Sequence, residues 1–159
     1  MYLNKRKVIL VTSVSVLVFF FSYIEVKSQD IKITDGGTIR INGEKIRFSG
    51  IDTPELKQTC FKEGVKNFCG KEAKQILIDK IANNKVTCIR EGKDRYKRTL
   101  AECFVKKESL SSYLVRSGYA FAYRKYSKKF IPDEEYALIN KLGMWSMEFD
   151  YPWDFRRNN

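Results

Sequence analysis

The chain has 159 residues, of which 43% are hydrophobic and 31% are charged, so it predicts one folded domain with its own core and not a disordered chain. Its net charge of +11 favours a polyanionic partner, such as nucleic acid or anionic lipid. The sequence contains no histidine. This excludes Ser-His-Asp and Cys-His catalysis and histidine-bound metals, so hydrolysis would depend on carboxylates, arginines, tyrosines or a hard metal ion.

The N-terminus has the pattern of a targeting segment. A basic stretch, MYLNKRK, precedes 17 uncharged residues, Val8 to Ile24, a length between that of a signal peptide and that of a membrane span. Cleavage before Gln29 would follow the small residue Ser28. We predict a signal peptide or N-terminal membrane anchor over residues 1–28 and a folded domain over residues 29–159. Either form places the domain outside the cytoplasm, secreted or periplasmic after cleavage and otherwise anchored facing outward.

The first part of the domain predicts β-structure. A short strand covers IKIT, and the following TIRINGEKIRFSGI predicts a hairpin, because Asn42-Gly43 is a strong two-residue turn signal between alternating segments. The register about that turn sets Ile39 opposite Ile46 on the core face. The other face of the hairpin is then basic and includes Arg47.

The segment after the hairpin, RFSGIDTPELKQ, concentrates oxygen donors. Pro54 keeps Thr53 out of a helix and stiffens the turn. The Asp52 carboxylate and the Thr53 carbonyl can therefore point at one spot, with Glu55 close by. Oxygen ligands on an irregular turn suit a hard cation such as Ca²⁺. Asp35, in TDGGTIR, is another turn acid, and its alternative role is to accept hydrogen bonds within its own turn.

Helical spacing of apolar residues predicts a helix over residues 70–84, followed by the strands KVTCIRE and RTLAECFV around a charged connection. Four cysteines in an oxidising compartment predict disulfides, and three pairings are conceivable. We favour Cys60–Cys69 and Cys88–Cys103, which close short loops, and strand pairing sets Cys88 opposite Cys103. The spacing lacks any C-x₂-C pair, so zinc is not favoured.

Two further helices are predicted over residues 108–118 and 132–143. The aromatic tail is expected to pack Trp153 on the domain and to leave Arg156 and Arg157 exposed. Three strands, a helix, two strands and two helices predict an α+β fold. Its architecture would be a five-stranded OB-type Greek-key β-barrel with about three helices.

Four motifs, TDGGTIRINGEKIRFSGIDTPELKQ, DRYKRTLAECF, LVRSGYAFAYRKYS and GMWS, together resemble the staphylococcal nuclease-like, or thermonuclease, family. They span almost the whole predicted domain in the family's order. The resemblance implies Ca²⁺-dependent cleavage of DNA and RNA phosphodiesters without sequence specificity, by an endonuclease that we expect to be a monomer.

The resemblance also assigns roles to residues. It implies catalysis by Arg47, Glu55 and Arg98, with Glu55 as general base and the arginines neutralising the transition state. Asp35, Asp52 and Thr53 match metal positions. Contact with the nucleotide is implied for Arg95, Tyr96 and Tyr123.

Two positions depart from the family pattern. Gly37 occupies the place of a second acid that is a metal ligand in the family, and Lys97 replaces a glycine. Losing a carboxylate lowers Ca²⁺ affinity, so the alternative function is a catalytically weakened OB module that only binds single-stranded nucleic acid. A structural protein of the cell envelope, anchored by residues 8–24, is the second alternative.

Overall fold

The computed structural model describes residues 29–159, and the predicted leader lies outside the described residues. The strands are β1 (Ile31–Asp35), β2 (Thr38–Ile41), β3 (Glu44–Phe48), β4 (Ile51–Asp52), β5 (Cys60–Lys62), β6 (Val65–Asn67), β7 (Val86–Lys93), β8 (Thr99–Val105), β9 (Glu108–Ser109) and β10 (Phe121–Ala122). The helices are α1 (Cys69–Ile81), α2 (Leu110–Arg116), α3 (Ile131–Ile139) and α4 (Pro152–Asn158), with a 3₁₀ turn at Gly143–Ser146. None of these helices has the length and hydropathy to cross a membrane.

The main sheet is mixed, with strands in the order β1-β2-β3-β8-β7 and β9 paired to β8. Its β2–β3 hairpin confirms the predicted register, with Ile39 opposite Ile46 and Thr38 opposite Arg47. Strand β3 pairs with β8 in parallel. Within residues 29–159 no ladder joins β1 to β7; the Gln29 side chain bridges to both backbone groups of Val86 at 2.8 Å. The α+β class is confirmed, and closure into a barrel stays a prediction.

The core lies between the sheet and the helices. Ile39, Ile46 and Phe48 of the hairpin pack with Leu77 of α1 and Leu114 of α2, and none of the five is more than 1% exposed. Because alternate strand residues face one side, this packing leaves Arg47 on the opposite side of the hairpin. The core therefore fixes which face of β3 can form a site.

The number of helices differs from the prediction, since the described residues form four α-helices and one 3₁₀ turn. The missed helix, α4, begins at Pro152, which is favoured in a first helical turn. It docks through aromatic contacts rather than an apolar stripe, because the Trp153 ring lies 6.2 Å from that of Phe121 and 6.1 Å from that of Tyr123, measured between centroids. The predicted packing of Trp153 on the domain is confirmed.

One predicted disulfide is present and the other is absent. Cys88 and Cys103 face each other across β7 and β8 and are bonded, as the strand register predicts. The prediction of a Cys60–Cys69 bond is wrong for this structure, in which both are buried thiols. The two thiols still interact with each other, and each sulfur has a further neighbour: Cys60 Sγ lies 3.4 Å from Met147 Sδ, and Cys69 Sγ lies 3.6 Å from the Gln58 carbonyl oxygen. Burial raises the pKa of both thiols.

The Cys88–Cys103 bond gives a stability prediction. It closes a connection with a sequence separation of 15, for which loop-closure entropy gives about 3 kcal/mol. We expect Cys88→Ala/Cys103→Ala to lower the free energy of unfolding by about that amount in urea titrations of the full-length chain in non-ionic detergent. A reductant should destabilise the wild type and leave the variant unchanged. A loss below about 1 kcal/mol would contradict this reading.

Candidate active site

A groove of about 890 Å³ runs beside the open face of the hairpin. It is lined by basic, acidic and aromatic side chains from segments far apart in the sequence. All nine residues predicted to act on metal or nucleic acid line it, namely Asp35, Arg47, Asp52, Thr53, Glu55, Arg95, Tyr96, Arg98 and Tyr123. The structure thus brings the whole predicted set together, and the individual roles stay predictions.

Arg47 extends from the middle of the sheet, where β3 lies between Thr38 of β2 and Leu100 of β8. Its side chain is only 16% exposed. Nη2 donates to Asp52 Oδ1 at 2.8 Å and to the Ile51 carbonyl at 3.3 Å. The guanidinium is therefore held against the Asp52 turn rather than extended into the groove.

The Asp52 turn is fixed by a short ladder, in which Asp52 of β4 pairs with Phe121 of β10. The residue is 1% exposed. Its Oδ1 accepts from the Thr53 backbone N–H at 3.2 Å as well as from Arg47. A carboxylate this deeply buried requires positive partners, and the fold supplies two: Arg47 and Arg156.

Arg98 is oriented by Asp94, a residue that sequence reasoning did not single out. Asp94 Oδ2 accepts from Arg98 Nε at 2.6 Å, and its Oδ1 accepts from the backbone N–H groups of Tyr96 and Arg98. Burial alone would raise the pKa of Asp94, but these hydrogen bonds lower it below the usual value. The turn is thus stabilised above the ordinary carboxyl pKa and loses that contribution as pH falls through the lowered value.

The Arg98 turn contains Lys97, one of the two departures from the family pattern. Lys97 has a φ of +63°, in the left-handed region that favours glycine. Lys97 thus adopts a backbone conformation that glycine adopts more readily than other residues. Arg98 Nε is bonded to Asp94, while its Nη atoms form no hydrogen bond within residues 29–159. Those two groups are free to reach a ligand in the groove.

Glu55 lies at the rim of the groove and is hydrogen-bonded to Arg156, near the C-terminus. Arg156 Nη1 donates to Glu55 Oε1 at 2.9 Å. The buried Gln58 makes a second tie, because its Oε1 accepts from the Glu55 backbone N–H and its Nε2 donates to the Asp150 carbonyl at 2.6 Å. Within the described residues, Glu55 Oε2 accepts no hydrogen bond, which leaves one oxygen available toward the groove.

Two aromatic residues offer stacking surfaces. Tyr96 is 64% exposed, with the guanidinium groups of Arg95 and Arg98 at 4.8 and 5.5 Å from its ring centroid. Tyr123 packs parallel to Trp153 at 6.1 Å and edge-on to Tyr126 at 4.9 Å. An exposed ring flanked by cations suits a nucleic-acid base beside its phosphate.

The predicted Ca²⁺ ligands do not fit that ion in this arrangement. Both oxygens of Asp52 accept from guanidinium groups, and Asp35 Oδ1 accepts from the Gly37 backbone N–H at 2.8 Å. Among residues 29–159 no group of three or more acidic or cysteine side chains could hold a metal ion. The turn role of Asp35 is therefore the one that its contact supports.

Gly37 explains where Arg47 lies. A Cβ atom at Gly37 would overlap Arg47 Nη1 and lie 2.8 Å from Thr53 Oγ1. The guanidinium thus fills the space that an acidic side chain would enter. The absence of an acid at Gly37 and the inward position of Arg47 are therefore linked, because Arg47 occupies the space that the acid would need.

Sequence reasoning missed the contacts of Arg156, which it expected only to be an exposed residue of the tail. Its side chain is 40% exposed, yet its guanidinium contacts both Asp52 and Glu55. No local pattern could have indicated this, because the partners are more than 100 residues apart in sequence. Burial opposes the charge, but the hydrogen bonds to Asp52 and Glu55 raise the pKa of Arg156.

This chain is similar to a known protein family and to several known proteins. A family model described as "Staphylococcal nuclease homologue" matches residues 45–147. The chain is 32% identical over 127 residues to a thermonuclease of Staphylococcus hyicus, covering 73% of each chain. It is also 32% identical over 123 residues to an uncharacterized endonuclease of Haemophilus influenzae, and 32% identical over 117 residues to the succinoglycan biosynthesis protein ExoI of Rhizobium meliloti.

The last two relatives are longer than the shared region. The match covers 73% of this chain and 64% of the Haemophilus protein, and 71% of this chain and 61% of the Rhizobium protein. The family model covers the candidate residues from Arg47 to Tyr123. Asp35 and Arg156 lie outside the residues that it matches.

Proposed function

Because this chain belongs to the staphylococcal nuclease family, we propose that it is an exported nuclease that hydrolyses phosphodiester bonds of DNA and RNA. The observation that carries the proposal is the convergence of Arg47, Glu55 and Arg98 on one groove. These side chains come from three separate segments. Together they supply the charges and the proton acceptor that phosphodiester hydrolysis needs when histidine is absent.

The proposed chemistry follows from the substrate's charge. A phosphodiester carries one negative charge, and attack by water adds a second in the transition state. Arg98 would donate from its free Nη atoms to the phosphoryl oxygens, and Arg47 would add a second guanidinium on leaving Asp52. Glu55 lines the groove, and its Oε2, which accepts no hydrogen bond within residues 29–159, would accept the proton of the attacking water. The water oxygen bonds to phosphorus as the P–O bond to the 5′ or 3′ oxygen breaks, and that leaving oxygen takes up a proton from solvent.

The nucleic acid would lie along the groove by stacking and charge. Tyr96, with Arg95 beside it, would hold a base and an adjacent phosphate, and Tyr123, which lines the same groove, would offer a second ring. None of these contacts reads a base edge, so the proposal is binding without sequence preference. Single-stranded DNA and RNA are the substrates proposed.

Export is proposed from the hydrophobic leader, with either a cleaved signal peptide or a membrane anchor over residues 1–28. The Cys88–Cys103 bond supports an oxidising compartment. Members of this family are typically Ca²⁺-dependent. The residues of this site do not fit that ion as they are arranged, so no step of the proposed chemistry uses it.

A binding module without catalysis is the second candidate. One observation favours it: Asp52 and Glu55 are both neutralised by arginine in the described arrangement. Binding alone would need the basic groove and Tyr96 but no proton acceptor. The two candidates therefore differ in whether a bound strand is cut.

The test is incubation of the full-length chain in non-ionic detergent with end-labelled single-stranded DNA and RNA of matched sequence. We expect both to be cut at many positions. A duplex of the same DNA is the control, and it should be cut more slowly because its bases cannot stack on Tyr96. Tight binding of intact strands under every condition would favour the binding module.

A further inference from the structure

The guanidinium of Arg156 lies between the two carboxylates of the groove. Its Nη2 donates to Asp52 Oδ2 at 2.6 Å, and its Nη1 donates to Glu55 Oε1 at 2.9 Å and to Asp52 Oδ1 at 3.2 Å. One positive group thus bridges both acids, as a bound cation would. Resting on the function proposed above, we infer that Arg156 is the resident cation of this site, replaces the divalent metal there, and permits cleavage without Ca²⁺.

The charges of the site match a guanidinium better than a dication. Asp52 and Glu55 supply two negative charges, and Arg47 and Arg156 supply two positive charges that bond directly to them. A divalent ion added to these four groups would give them a net charge of +2 next to Asp52, which is 1% exposed. Buried charge without a partner is strongly unfavourable.

Gly37 supports the same conclusion independently. An acid at this position would overlap Arg47 Nη1, so it would displace that guanidinium from Asp52 as well as add a third carboxylate. The residues that would favour a dication are thus missing together: the extra acid is absent and Asp52 is occupied. Two carboxylates and two guanidinium groups balance each other's charge without a bound metal ion.

Arg156 is held in place by the packing of α4. Trp153 stacks between Tyr151 at 4.6 Å and Tyr123 at 6.1 Å, and Pro152 is buried. Asp150 accepts a hydrogen bond from the buried Gln58 at 2.6 Å. The helix is therefore anchored on both sides of its first turn, and its arginine is built into the site. Arg156 acts through Asp52 and Glu55, so its proposed part is positioning.

The neighbouring Arg157 provides a matched control. It lies on the same helix, and its Nη2 donates to Asp154 Oδ1 at 2.6 Å, without contact to either acid of the groove. Substituting Arg157 removes the same charge from the same helix. A difference between the two positions therefore reports on the site contact and not on net charge.

The first experiment measures Ca²⁺ binding by titration calorimetry on the full-length chain in non-ionic detergent. We expect no saturable binding to the wild type up to about 10 mM Ca²⁺, a range beyond that of weak extracellular sites. Gly37→Asp/Arg156→Gln should bind Ca²⁺ with a dissociation constant between about 10⁻⁴ and 10⁻³ M. Thermal unfolding of each variant verifies that it is folded.

The second experiment measures cleavage of single-stranded DNA with Ca²⁺ and with excess chelator. We expect the chelator to change the wild-type rate less than about twofold. Arg156→Gln should lower kcat about tenfold or more with little change in KM, the effect of losing one charge-assisted hydrogen bond to Glu55, the proposed general base. Arg156→Lys should retain part of the rate, because it keeps the charge and loses the fork. Arg157→Gln should remain within about twofold of the wild type.

Several results would overturn the inference. These are saturable Ca²⁺ binding to the wild type below about 1 mM, loss of cleavage on chelation, failure of the folded double variant to bind Ca²⁺, or faster Ca²⁺-supported cleavage by Arg156→Gln. The last result would mean that Arg156 blocks the metal site instead of replacing the metal. If no protein cleaves nucleic acid, the proposed function fails, while calorimetry still decides whether Arg156 excludes the metal.

Discussion

Replacing Arg98 with alanine is expected to lower kcat for single-stranded DNA by about 10² to 10³, the loss typical of one donor aimed at transition-state charge. This corresponds to about 3 to 4 kcal/mol of transition-state stabilisation. The fold should tolerate the change. Asp94 would still accept from the backbone N–H groups of residues 96 and 98, so the turn that holds the position remains.

Two further substitutions separate catalysis from binding. Arg98→Lys should recover only part of the rate, because an ammonium is a point charge without the fork that fits phosphoryl oxygens. Arg95→Ala should raise KM severalfold with little change in kcat, since this guanidinium flanks the exposed ring of Tyr96. Steady-state kinetics on the three variants gives both parameters. Similar rises in KM and no change in kcat for all three would make Arg98 part of a binding surface only.

Local sequence patterns predicted the parts of the fold that depend on local interactions. The Asn42-Gly43 turn and the alternation around it were sufficient for the β2–β3 register, and that face assignment correctly placed Arg47 outside the core. The Cys88–Cys103 bond followed from the same kind of reasoning, because the residues lie opposite each other on adjacent strands. Family resemblance then indicated residues that the fold gathers in one groove.

The incorrect or missing predictions concern contacts between distant segments. The spacing of Cys60 and Cys69 satisfied a short loop, yet Cys60 lies against Met147, which is 87 residues away in sequence. Helix α4 has no apolar stripe and is held by stacked aromatic rings, so a search for helical periodicity does not find it. Both features depend on where the C-terminal segment docks.

Among these contacts between distant segments, those of Arg156 with Asp52 and Glu55 matter most for the proposed site. From sequence, the arginine of a polar C-terminus is expected in solvent, and its side chain is indeed 40% exposed. Its proposed role depends on a guanidinium that reaches Asp52 across a separation of 104 residues. Gly37 could be recognised as a missing acid, but the guanidinium of Arg47 in the vacated space could be seen only in three dimensions.

The second large effect is expected for Glu55→Gln, which should lower kcat by about 10² to 10⁴, the usual contribution of a general base. Glutamine has nearly the same shape, and its carbonyl oxygen can still accept from Arg156 Nη1. The site should therefore keep its structure and lose only the proton acceptor. Binding of single-stranded DNA should change little, because the Arg98 turn and Tyr96 are untouched.

The most direct test of the nuclease assignment is the single-turnover cleavage rate of end-labelled single-stranded DNA. The wild type and Glu55→Gln are purified in parallel as full-length chains, and strand binding is measured in the same samples by fluorescence anisotropy. We predict a wild-type rate at least about 100-fold above that of the variant, with dissociation constants within about threefold of each other. Equal rates in the two proteins, or strands bound tightly and left uncut by the wild type, would contradict the assignment of this groove as an active site.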